Sequence, residues 1–210
     1  MSESIRRRVL IWMLFVLIGS IVPGALASAQ ADCICTLPQI VTRITICFDG
    51  QYRQVDVTYC SEKFCPASTT TDACSTSVAI DVRTLIKRIA PLGFTTTNAQ
   101  GLVNATIAAM GLCCGNQAGL FSCPSSTNEY VWLVRWPKCA SFTAGVLDLH
   151  EGGPCCGAVV RYRPNTPTPG LCETTVLKSC TVPGICPPVV VGGAPVIDLA
   201  CDPFPASCCW

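Results

Sequence analysis

Three times in this chain two cysteines stand side by side: Cys113-Cys114 within GLCCG, Cys155-Cys156 within GPCCG, and Cys208-Cys209 within the closing ASCCW. Adjacent cysteines seldom bridge each other, because the small ring strains the peptide between them. On an extended backbone their side chains leave opposite faces. A doublet can therefore tie one backbone point to two different neighbours, and the glycines beside the first two doublets leave room for close approach. Such a chain is expected to fold as layers clipped together covalently.

The remaining cysteines are Cys33, Cys35, Cys47, Cys60, Cys65, Cys74, Cys123, Cys139, Cys172, Cys180, Cys186 and Cys201, which brings the total to 18. An even count at this density reads as a disulfide framework in an oxidising compartment. No two cysteines are three positions apart, so C-x-x-C is absent. Thioredoxin-type dithiols, c-type haem attachment and zinc knuckles are thereby excluded. With 1 histidine, sites needing several imidazoles from one chain are excluded too. Cys33-Ile34-Cys35 reads as a stapled mature N-terminus rather than a metal motif. We expect all 18 cysteines to be bridged, with no metal and no cofactor.

The order of cysteines from Cys74 to Cys172 (single, double, single, single, double, single) resembles that of the fungal hydrophobins, small secreted proteins that coat interfaces. The spacings depart from that family, with 38 residues between Cys74 and the first doublet and 15 between Cys139 and the second. No residue role is carried over from it.

The front of the chain fits an export signal. Arg6, Arg7 and Arg8 precede an apolar run from Val9 to Val22, and Ala27 and Ala29 supply the spacing that signal peptidase reads. Cleavage after Ala29 would leave 181 of the 210 residues. Removing Arg6, Arg7, Arg8 and Glu3 takes the 14 basic and 13 acidic residues to 11 and 12. A near-neutral chain with no basic run is a poor partner for nucleic acid or anionic membrane, and no stable membrane insertion is expected after cleavage.

The clearest local element is QIVTRITICFDGQYRQVDVTYC. Asp49-Gly50 is a type I′ turn signal between two alternating runs. A two-residue loop sets Phe48 opposite Gln51, Ile44 opposite Val55, Arg43 opposite Asp56, Thr42 opposite Val57 and Ile40 opposite Tyr59. One register thus sorts apolar from polar and pairs a cation with an anion. It also places Cys47 and Cys60 too far apart along the ladder to bond.

Further along, Val78, Val82, Leu85, Ile86 and Ile89 fall on one helical stripe, predicting a helix from about Ser77 that ends at Pro91–Gly93. A second helix is predicted over the following segment, opened by Thr97 or Asn98, with Leu102, Thr106, Ala109 and Met110 facing inward. Strands are predicted at EYVWLVRW, GVLDLH and GAVVRYR, followed by a Pro/Gly-punctuated extended tail. The expected fold is therefore α+β and β-rich. It comprises disulfide-stapled antiparallel sheet, a helical pair near residues 77–111 and an extended C-terminal segment. The expected organisation is a signal over 1–29, a main domain over 30–163, and a Pro/Cys-rich segment over 164–210 packed on that domain.

Two stretches carry candidate chemistry. Asp148 and His150 alternate in LDLHEGG with Glu151 next, so an Asp could orient the imidazole as in a nucleophile–base–acid arrangement. A polar strand end is the plainer reading, and no nucleophile elbow stands nearby. Trp132 and Trp136 share one strand face, as core or as an exposed aromatic ledge that could bind a sugar. No residue is assigned as catalytic. The leading expectation is an exported, disulfide-stabilised, non-enzymatic structural or adhesive protein of the cell exterior, secreted, periplasmic or surface-bound. Its partners would be further copies of itself or a cell-surface or glycan ligand. The alternatives are a secreted glycan- or ligand-binding module using Trp132 and Trp136, then a hydrolase centred on His150.

Overall fold

A computed structural model describes residues 33–70, 74–111, 129–164, 172–188 and 193–201. The expected signal and the Cys113-Cys114 and Cys208-Cys209 doublets, with Cys123, lie outside these residues. The elements run β1 (Ile40–Phe48), β2 (Gln51–Ser68), β3 (Ile80–Leu92), α1 (Ala99–Gly111), β4 (Tyr130–Pro137), β5 (Cys139–Thr143), β6 (Val146–Leu149), β7 (Cys155–Pro164), β8 (Cys172–Val182) and β9 (Ile197–Asp198).

The hairpin β1–β2 forms in the register that its alternation dictates, from Ile40 opposite Tyr59 to Phe48 opposite Gln51. Asp49 and Gly50 both have positive φ (51° and 71°), as a type I′ turn requires. Ile44, Ile46, Phe48, Val55, Val57 and Tyr59 are buried on one face. On the other face Arg43 donates to both carboxylate oxygens of Asp56, at 2.8 and 3.0 Å.

Residues 80–92 form strand β3, which corrects the first half of the expected helical pair. The cause is a β-bulge. Thr58 pairs with Arg88 but Tyr59 pairs with Ile86, so Lys87 has no partner across the ladder. An extra residue resets the alternation. Val82, Ile86 and Ile89 then line one face at spacings of four and three, the same spacings a helix would give. Leu85, which completed the helical stripe, faces the other way, among Cys33, Cys155 and Val182.

The single helix among the described residues is α1. Asn98 caps it, its side-chain oxygen accepting from the Gly101 amide at 2.8 Å. The predicted inward residues Leu102, Thr106, Ala109 and Met110 are all buried. Gly111 ends the helix where a Cβ would overlap the Trp132 ring and the Tyr162 hydroxyl, so only glycine fits.

The nine described strands belong to one sheet that forks at β3. One edge of β3 pairs along its length with β2. The other edge is shared: Val82–Leu85 pair in parallel with β4, while Arg88 and Ile89 pair antiparallel with β6. The bulged Lys87 lies between these two partners. One arm continues β4–β7–β8 and the other β6–β5–β9. A parallel neighbour needs a crossover, and α1 lies within the one between β3 and β4. The sheet is thus mixed rather than wholly antiparallel.

The helix face of the sheet carries the main core, which joins α1 to Trp132, Val134, Trp136, Ala158, Val160 and Tyr162. The opposite face carries two smaller clusters, one around Leu133, Val159 and Cys180 and one around Cys33 and Cys155. Strand β4 is therefore buried on both sides. Five disulfides join described cysteines: Cys33–Cys155, Cys35–Cys60, Cys74–Cys180, Cys139–Cys186 and Cys156–Cys201. Cys47 and Cys65 are disulfide-bonded as well. Cys172 begins β8.

The GPCCG doublet shows what adjacency achieves on a strand. Cys155 opens onto one face and holds the N-terminal segment. Cys156 opens onto the helix face and holds Cys201. Residues 193–201 also reach the sheet through β9 on β5 and through buried Leu199. The Ala200 amide further donates to Gln100 of α1 at 2.7 Å.

Candidate functional site

Trp132 and Trp136, the expected binding ledge, are 0 % and 1 % exposed. The Trp132 indole donates to Thr84 Oγ1 at 2.9 Å, inside the core. An aromatic ledge on this strand is corrected accordingly. The reason is positional. The alternation of EYVWLVRW marks two faces but does not say that both are covered. Here α1 covers one, and the cysteine-bearing clusters cover the other.

The Asp148–His150–Glu151 stretch has a different geometry from the one expected. Asp148 binds Arg88 at 3.1 Å and Glu151 binds Lys87 at 3.2 Å, both cations coming from β3. The group that meets the imidazole is Ser141, whose Oγ lies 2.9 Å from His150 Nε2. The His150 amide donates to the Cys139 carbonyl, which fixes the strand end. Sequence reasoning missed Ser141, although a signal was present. Ala144 and Gly145 both take positive φ, at 51° and 81°, so Ala-Gly is the turn of a β5–β6 hairpin. That turn puts Ser141 opposite Asp148, diagonal to His150.

A hydroxyl against an imidazole is the first contact of a nucleophile–base pair. Ser141, however, is only 1 % exposed, so its Oγ does not meet solvent in this conformation. No group of three or more His, Cys, Asp and Glu residues is placed to hold a metal ion among the described residues.

The exposed apolar surface is unevenly placed. Of the six large apolar residues found exposed, five fall between positions 34 and 52: Ile34, Leu37, Ile40, Val41 and Tyr52. Val41 and Tyr52 are 67 % and 68 % exposed. They belong to the hairpin and the segment leading into it, at the end of the sheet where β1 pairs only with β2 among the described strands. Strand β1, IVTRITICF, is nine residues long, contains no proline, pairs without a register shift and carries a single charged residue, Arg43. Natural edges are usually blunted by such devices.

In comparisons with known proteins, no family model, no curated protein and no solved structure matches this chain.

Proposed function

We propose that this is an exported, disulfide-stapled structural or adhesive protein of the cell exterior, without enzymatic turnover, that associates with copies of itself along the β1 edge. The bridges between described cysteines fit an oxidising compartment. No described helix is long and apolar enough to cross a membrane. The observation that carries the reading is the concentration of exposed apolar side chains on the hairpin and the segment leading into it, with Ile40 and Val41 on the unblunted edge strand itself. A low charged fraction, 13 %, leaves little repulsion to oppose association.

Sedimentation of the secreted protein over a wide concentration range tests the reading. Association that rises with concentration is expected, and Val41→Lys, a charge on the edge, should abolish it while leaving the monomer folded. A wild-type protein that stays monomeric at every concentration would sink the self-association reading.

A further inference from the structure

On the face of the sheet away from α1, the segment Ile34–Leu37 lies over a cavity of about 160 Å³. A single water needs on the order of 10–15 Å³ of such space, so the cavity admits a molecule of several heavy atoms. Its walls include Thr36 and Cys35 of the strap, Cys60 and Glu62 of β2, Arg83 of β3 and Arg135 of β4.

Among the described residues that line it, the charged ones are Arg83, Arg135 and Glu62. The two arginines stand diagonally on neighbouring strands, Arg83 opposite Leu133 and Leu85 opposite Arg135, and so share one sheet face. Arg135 is only 3 % exposed. The Arg83 guanidinium lies 5.5 Å over the Phe64 ring, which fixes its plane. Its Nε is buried and makes no hydrogen bond, although Glu62 stands directly opposite on β2. A buried, cationic donor without an acceptor is costly to keep.

The strap is held across the cavity by Cys33–Cys155 and Cys35–Cys60. The space is therefore built into the fold rather than opened by a hinge, which lowers the ordering cost of binding. We infer that this cavity binds a small oxyanion, the carboxylate of a small organic acid or free phosphate, held by Arg83 and Arg135. A guanidinium fork matches either group by paired N–H···O hydrogen bonds.

The test uses the full secreted chain, with thermal unfolding and calorimetric titration against sodium acetate, inorganic phosphate and, at matched ionic strength, sodium chloride. A saturable stabilisation by acetate or phosphate, absent with chloride, is expected. Whichever oxyanion binds more tightly identifies the source. Arg83→Gln should weaken it by about tenfold or more, as loss of a charge-assisted contact does. Glu62→Gln, which removes the carboxylate from the cavity, should tighten it, and this variant decides the matter if Arg83→Gln does not fold. Equal stabilisation by all three salts, or unchanged affinity in the folded Arg83→Gln protein, would overturn the inference, as would weaker binding in Glu62→Gln.

Discussion

The hairpin β1–β2 and the centre of the sheet around β3, β4 and β7 are made of the same residue types, yet the hairpin yields its register and its buried face from its letters, while at the centre β4 and β7 read only as strands and β3 reads as a helix. One side of the hairpin meets water along β1 and the first half of β2, where Arg43, Thr45, Gln54, Asp56 and Thr58 alternate with buried residues, and the period of two survives. At the centre both faces are covered. Val131, Leu133 and Val159 are as buried as Trp132, Val134 and Val160. With nothing polar required on either side, alternation still marks a strand but no longer says which face is covered. The difference teaches that period is a record of exposure, and it is legible only where exposure differs between faces.

The largest effect expected from this contrast is at the centre. Trp132→Ala removes a fully buried ring and takes the indole donor from Thr84 Oγ1, which keeps Ser61 Oγ at 3.3 Å. Loss of a core tryptophan costs ~3–5 kcal/mol. Gly111, which gives way to that ring, has no side chain to fill the space. Urea unfolding of the non-reduced protein measures it. A loss comparable with that of an exposed hairpin substitution such as Val41→Ala would show that the two-sided centre does not dominate stability.

What was legible follows the same line. The hairpin register, its Asp-Gly turn and the Arg43–Asp56 pair could all be taken from residues 40–60, because one face faces solvent. Helix α1 was legible through Asn98 and its inward stripe. Gly101, in the first turn, donates its amide to the cap. Strand β3 was not legible. Its bulge at Lys87 moves Ile89 onto the face of Val82 and Ile86, and a strand with an extra residue then writes a helical spacing. The Ser141–His150 contact was hidden in another way. Its two residues are nine apart, and only the Ala144-Gly145 turn brings them together. The cavity beneath the strap could not be read at all, since it depends on which cysteines pair.

The second effect in size concerns how the two regions are joined. Cys35–Cys60 ties the strap to the hairpin across 25 residues of sequence. Replacing both with alanine should cost ~2–4 kcal/mol, chiefly by freeing the unfolded chain. Because the bridge lies at the hairpin end, hydrogen exchange should quicken in β1 and β2 and leave β4 and β7 protected. Uniform quickening across the sheet would mean that hairpin and centre unfold as one unit, and the contrast between them would then be one of pattern alone.

The smallest effect tests whether the hairpin register depends on its charge pair or on its buried face. Arg43 and Asp56 are joined by two hydrogen bonds, but both sit on the solvent side, where such pairs are worth little. The hydrogen bond from Arg43 holds the Asp56 carboxyl below its ordinary pKa, and the positive charge adds to this. A depressed folded value means that, as the pH falls, the unfolded chain takes up the proton first. The stabilisation is then complete above the ordinary carboxylate range and disappears as the pH drops through the folded value. Asp56→Asn should therefore fall slightly below wild type at neutral pH, and the two should converge in acid. Cross-strand nuclear Overhauser contacts between Ile44 and Val55 should persist in the variant. Their loss would assign the register to the ion pair, whereas their survival assigns it to burial of Ile44, Ile46, Val55 and Val57, a choice the alternating letters already made.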